Sequence, residues 1–389
     1  MATGDLIAPE PFRLEVPDTV LRDLAARLAL ARFPETEPDG PPWRYGVPRE
    51  YLRDVVDYWQ TGYDWRTWEA RLNRFPQYRV PIGGGRVHFV LECGSGERPF
   101  PLVLTHGWPG SFAEFIDVIE PLAHPERFGG DVADAFTVVV PSLPGYGWSD
   151  APPAPIHPRE VAERWRVLMA DVLGFRRYGA QGGDWGSAVT SWLALDPPPE
   201  LAAIHLNMVS LRPVIDDTTP PLDEAERRWL AQSKARREGE LGYQQIQGTK
   251  PQTLAYGLTD SPIGLAAWIL EKFHGWTIQG RDAPPPFDPN HLLTNVMLYW
   301  LTGINAANWM YCSTVAGTSG ALGRGERVEV PTGVMLFTDD LAVPPPSRWI
   351  ERAYNLVHRT DAATGGHFAA MQCGGALVED IRAFFRPYR

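Results

Sequence analysis

The sequence predicts an α/β protein: a mostly parallel, doubly wound sheet with a helical lid insertion and an N-terminal helical module. Three observations predict it. Residues 9–78 read as helical and tryptophan-rich, with apolar residues at helical spacing. From residue 86, short apolar runs of strand length alternate with helical stretches, the rhythm of parallel strands joined by helical crossovers. That rhythm stops over 214–324, where helical patterns and Gly/Pro-rich loops take over, and strand character returns at 328–337.

Taken in order, Val16-Pro17-Asp18-Thr19 opens an amphipathic run over 20–30 with Leu21, Leu24 and Leu28 on one face. Pro48 and Arg49 precede a second run through Val55, Val56 and Trp59, and a third covers 65–72. Residues 86–91 (RVHFVL) alternate as a strand, and Gly94-Ser95-Gly96 turns the chain. The apolar runs 101–105 and 136–140 suit central parallel strands. A helix over 159–173, a strand over 177–181 and a helix over 185–195 follow. The stretch 214–324 contains Ala283-Pro284-Pro285-Pro286, and a helix over 375–385 closes the chain. An insertion within such a sheet sits at the strand C-termini, over the site. The expected division is 1–80 for the module, 81–213 and 326–389 for the core, and 214–325 for the lid.

Composition narrows the function. With 389 residues there is material for one large domain and a smaller one. A net charge of -11 repels phosphate backbones, so no nucleic-acid partner is expected. Cys93, Cys312 and Cys373 show neither metal nor redox spacing and read as reduced thiols. The first 16 residues lack the basic and apolar segments of a signal peptide, and no apolar stretch reaches the length of a bilayer span. The expectation is a cytoplasmic protein with no membrane partner.

The chemistry concentrates in four places. Gln181-Gly182-Gly183-Asp184-Trp185-Gly186 lies between a predicted strand and a predicted helix, the setting of a nucleophile elbow in an α/β-hydrolase fold. A Gly-Gly-Asp turn that merely caps the next helix is the plainer alternative. As an elbow it carries a carboxylate in place of a hydroxyl. A carboxylate attacking a carbonyl would make only an anhydride, whereas attack on an sp3 carbon gives a stable ester. The substrate then carries its leaving group on carbon, an epoxide oxygen or a halide. Hydrolysis of that ester builds an oxyanion, and the backbone N–H groups of Trp108, in Thr105-His106-Gly107-Trp108-Pro109-Gly110, and of Trp185 are the natural donors. His367, in Thr364-Gly365-Gly366-His367-Phe368-Ala369, stands in the right chain order for a general base on water. An acid just past the predicted strand 334–337 would orient it: Asp340, with Asp339 as the alternative.

These residues resemble the microsomal-type epoxide hydrolases over nearly the whole chain. Tyr63-Asp64-Trp65-Arg66 and Leu72-Asn73-Arg74-Phe75-Pro76-Gln77 are similar to that family's N-terminal domain. His106-Gly107-Trp108-Pro109-Gly110-Ser111, Gly182-Gly183-Asp184-Trp185-Gly186 and Gly365-Gly366-His367-Phe368-Ala369-Ala370 resemble its oxyanion, nucleophile and histidine segments. So do the lid stretches Leu270-Glu271-Lys272-Phe273 and Leu292-Leu293-Thr294-Asn295-Val296. The resemblance implies two lid tyrosines that hydrogen-bond the epoxide oxygen, Tyr243 and Tyr311. It also implies hydrolysis of an epoxide to a vicinal diol without metal or organic cofactor, in a monomer or homodimer. Mammalian members carry Glu where this chain carries Asp340. The Ala, Arg, Pro and Gly richness is that of high-GC bacterial proteins. Some bacterial proteins that this chain resembles act in natural-product pathways, including those of enediyne antibiotics, on styrene-oxide-like epoxides, and the lid is rich in aromatics. A bulky or aromatic epoxide is therefore expected. The alternatives are a haloalkane dehalogenase with the same Asp–His–acid set and a non-catalytic ligand-binding protein on the same scaffold.

Overall fold

The computed structural model describes residues 8–389 except 210, 212–214, 216–218, 278–282, 316–319, 324 and 338–342. Its strands are β1 (Glu10–Phe12), β2 (Gln77–Ile82), β3 (Gly85–Glu92), β4 (Phe100–Thr105), β5 (Phe136–Pro141), β6 (Tyr178–Gly182), β7 (Leu201–Leu206), β8 (Val328–Leu336) and β9 (Tyr354–Asp361). They form one sheet in the order β1-β2-β3-β5-β4-β6-β7-β8-β9. Pairings from β5 through β9 are parallel, and those of β1, β2 and β3 are antiparallel.

The central strands follow from sequence. FPLVLT of β4 and FTVVVP of β5 are buried almost throughout, because helices cover both faces. Two strands carry no such signal. LAAIHL of β7 is alanine-rich, and YNLVHRTD of β9 is a half-exposed edge strand of mixed polarity. Pairing with β8 makes both of them strands, and that pairing is a tertiary effect. The N-terminal stretch, read as helical, also contributes β1 to the sheet edge, and residue 80 lies inside β2.

Strand order reverses at β4, which has β5 on one side and β6 on the other. In doubly wound sheets that reversal opens a crevice at the strand C-termini. The loops after β4, β6 and β9 all deliver predicted site residues there. The lid lies between β7 and β8 and includes the helices Glu224–Glu240, Gly242–Thr249, Pro251–Asp260, Pro262–Gly275, Pro289–Thr302 and Trp309–Val315. Three of these start with proline at the first helical position, where a missing N–H costs nothing. Ser261 and Asp288 cap two of them, accepting from the N–H groups of Gly264 and Asn290.

The N-terminal helices Asp18–Ala29, Arg49–Thr61 and Trp65–Leu72 bury Leu24, Leu28, Trp59, Trp65 and Trp68. They also hold the lid helix Pro289–Thr302 in place. Tyr58 donates to Asn290 Oδ1 at 2.8 Å, and the Tyr63 hydroxyl meets Thr294 Oγ1 at 2.9 Å. Among the described residues no helix is long and apolar enough to cross a membrane.

Candidate active site

β6 ends at Gly182, and Asp184 takes φ 50° and ψ -126° before the helix Trp185–Leu195 begins. For a residue with a Cβ this region is strained by about 1–3 kcal/mol. The flanking glycines are there for space. A Cβ on Gly182 would strike the Gly186 carbonyl, and one on Gly186 would strike the Thr105 carbonyl of β4. The sharp turn thus lies flat against the neighbouring strand and throws the Asp184 side chain outward. Asp184 makes no capping hydrogen bond to the helix it precedes, which removes the helix-cap alternative. Its Oδ1 accepts from the Trp108 N–H at 2.8 Å, and its Oδ2 faces His367 Nε2 at 3.2 Å.

The Trp108 loop is built to approach this carboxylate. A Cβ on Gly107 would land on the Asp184 carboxyl group. The Trp108–Pro109 peptide is cis. The lid grips the loop from above: Asn295 Nδ2 donates to the Pro109 carbonyl at 2.7 Å, and the Tyr299 hydroxyl donates to the Gly110 carbonyl at 2.7 Å. Ser111 Oγ donates to Asn295 Oδ1 at 2.8 Å. From below, the buried His106 accepts the Leu143 N–H at Nε2 over 3.2 Å. Burial pushes that imidazole down to about 4, so it stays neutral and structural. Trp185 is the first residue of its helix, so its N–H has no carbonyl partner within that helix.

His367 is pinned to the lid. Its N–H donates to the Trp276 carbonyl at 2.9 Å, and Gly366 forms an antiparallel bridge with Thr277. Asn207 Nδ2 donates to the His367 carbonyl at 3.4 Å, and the imidazole lies 4.8 Å from the Trp276 ring. Asp340 and Asp339, expected to orient His367, lie outside the described residues.

The two predicted tyrosines come together above Asp184. Tyr243, on Gly242–Thr249, stacks on Trp108 with ring centroids 4.9 Å apart. Tyr311, on Trp309–Val315, meets Trp185 edge-on at 4.8 Å. The two phenol rings meet edge-on with centroids 5.9 Å apart. Burial first, then Tyr243 and Asp184, push the Tyr311 phenol well above its ordinary range, so it stays a proton donor.

Of the lid aromatics, Trp276 packs against Trp108, Tyr243 and His367, whereas Tyr256 is 72% exposed and belongs to the surface. Sequence reasoning missed Asn295, Tyr299, Asn207 and Glu114. A signal existed for two of these: Asn295 and Tyr299 are four apart on one helix and so share a face.

A family model described as the epoxide hydrolase N terminus matches residues 9–115, and one described as the alpha/beta hydrolase fold matches 101–251. A Stigmatella aurantiaca (strain DW4/3-1) protein named "Putative epoxide hydrolase" is 42% identical over 97% of this chain and 85% of its own length. Epoxide hydrolase 1 of Sus scrofa is 33% identical over 96% and 88%. The solved structure of Aspergillus niger epoxide hydrolase superposes with a TM-score of 0.85 at 33% identity, covering 99% of this chain and 97% of that one.

Proposed function

The chain belongs to the epoxide hydrolase family, and from its site we propose a two-step opening of an epoxide through an ester on Asp184. Tyr243 and Tyr311 donate hydrogen bonds to the epoxide oxygen. A carboxylate oxygen of Asp184 displaces that oxygen from one ring carbon; a C–O ester bond forms, the ring C–O bond breaks, and a phenol supplies the proton the alkoxide needs. His367, paired with Asp340, then takes a proton from water. The resulting hydroxide adds to the Asp184 carboxyl carbon, and the N–H groups of Trp108 and Trp185 hold the oxyanion. Collapse expels the diol, whose departing oxygen takes the proton back from His367, and the proton left on the regenerated Asp184 carboxyl group returns to the phenol that gave one up.

The observation that carries this reading is the environment of Asp184. One carboxylate, strained at an elbow, meets an N–H on one oxygen and an imidazole on the other, beneath two phenol rings in edge-on contact. The test is isotopic. A single turnover in water-18O should place label in the Asp184 carboxylate and leave the first diol released unlabelled. Label in that first diol would mean direct attack by water on the epoxide.

The walls favour an aromatic or bulky epoxide, because Trp108, Tyr243, Trp276, Trp185 and Tyr311 surround the carboxylate with ring faces and edges. A phenyl group buried there is stabilised by about 1.5–3 kcal/mol. Styrene oxide should therefore exceed propylene oxide in kcat/KM by about 10- to 100-fold, and equal values would remove the aromatic preference. The dehalogenase alternative draws support from the indole N–H groups of Trp108 and Trp185, which have no hydrogen-bond partner among the described residues. The paired phenols have no use in halide displacement and argue for the epoxide.

A further inference from the structure

Glu114 lies on the short turn Phe112–Phe115, which Ser111 caps by accepting the Ala113 N–H. Its carboxyl group is aimed inward, because Gly110 leaves the room: a Cβ on Gly110 would coincide with Glu114 Oε1. There it lines a cavity of about 10 Å³ together with Asp184, His367, Asn207 and Phe368. That volume suits one water molecule, which also needs two to four polar partners. Asp184, His367 and Glu114 in its lining supply such partners.

Building on the proposed roles of Asp184 and His367, we infer that Glu114 is a positioning residue for the second half-reaction, holding the water that His367 deprotonates. The water gives one hydrogen to the His367 imidazole and the other to a carboxyl oxygen of Glu114. A lone pair is then left facing the Asp184 carboxyl carbon. On attack the new C–O bond forms at that carbon, His367 takes the first proton, and the second O–H bond is kept. Glu114 therefore neither gains nor loses a proton. Burial, and next the neighbouring Asp184, push its carboxyl well above the usual carboxylate range, against a Ser111 N–H that lowers it. In its protonated form the acid accepts the water's hydrogen through its carbonyl oxygen without setting a second negative charge beside Asp184.

The experiment separates the two half-reactions by rapid quench with racemic styrene oxide and intact-protein mass spectrometry. Glu114→Ala should alkylate within about threefold of the wild-type rate but hydrolyse its ester about 10- to 100-fold more slowly, so that ester accumulates. Glu114→Gln keeps a carbonyl in the same place and should recover hydrolysis to within about fivefold. Gly110→Ala, which retains the carboxyl group but displaces it, should behave like Glu114→Ala. That variant provides the test if Glu114→Ala fails to fold. Unchanged ester hydrolysis, or an equal fall in both half-reactions, overturns the role of Glu114 while leaving Asp184 and His367 in theirs. Absence of ester even in His367→Gln overturns the two-step reading and this inference with it.

Discussion

Replacing Asp184 with Asn should lower diol formation from styrene oxide by about 10⁴-fold or more, the scale at which loss of a nucleophile acts. The substitution keeps the shape of the side chain. An amide oxygen can still accept the Trp108 N–H that now reaches Oδ1 at 2.8 Å. Asn also tolerates the positive φ of 50° at this position better than most residues do. Folding stability should therefore stay within about 1 kcal/mol of wild type, and the loss belongs to chemistry. Initial rates must be taken early, because an Asn beside His367 and water can deamidate to Asp and restore activity slowly. Melting temperature and diol yield measured on the same preparation decide the matter. Wild-type turnover in the variant would move the nucleophile elsewhere.

The second large effect is expected at His367. His367→Gln removes the base that faces Asp184 Oδ2 at 3.2 Å, and steady-state turnover should fall by about 10³-fold or more. The fall should be confined to one half-reaction. Attack on the epoxide needs only the carboxylate and the phenols, so alkylation should remain within about tenfold of wild type. The protein should then gain the mass of one substrate molecule and hold it. An equal fall in both steps would mean that His367 orients the nucleophile and does not activate water. The backbone of this loop is secured independently of the ring, through the Trp276 carbonyl and the Thr277 bridge, so the substitution should leave the loop in place.

The two halves of the site come from different layers, and this affects how it works. Asp184 and the Trp108 N–H that it accepts rest on sheet loops, whereas Tyr243 and Tyr311 belong to lid helices and Trp276 caps the end of another. The N-terminal module joins them indirectly, holding the helix that carries Asn295 and Tyr299 through Tyr58 and Tyr63. Asn295 and Tyr299 in turn hold the carbonyls of Pro109 and Gly110. A module without chemistry of its own thereby fixes the loop that donates to Asp184.

What the sequence determined by itself are the features that local sterics dictate. Gly182 and Gly186 mark the elbow because a Cβ at either would strike backbone. Runs such as FTVVVP mark central strands because both faces are buried. An Asp at the elbow is the feature from which the proposed displacement at carbon follows. Tertiary structure decided the rest. Whether LAAIHL and YNLVHRTD become strands depends on the partner each finds across the sheet. Whether Asn295 serves the site depends on contacts spanning 184 and 186 residues. Glu114 looks like an ordinary surface-turn carboxylate in sequence. Its place in the cavity beside Asp184 and His367 exists only once segments distant in the chain pack together. Local patterning acts through a residue's immediate neighbours along the chain, whereas convergence and desolvation are properties of packing between distant segments.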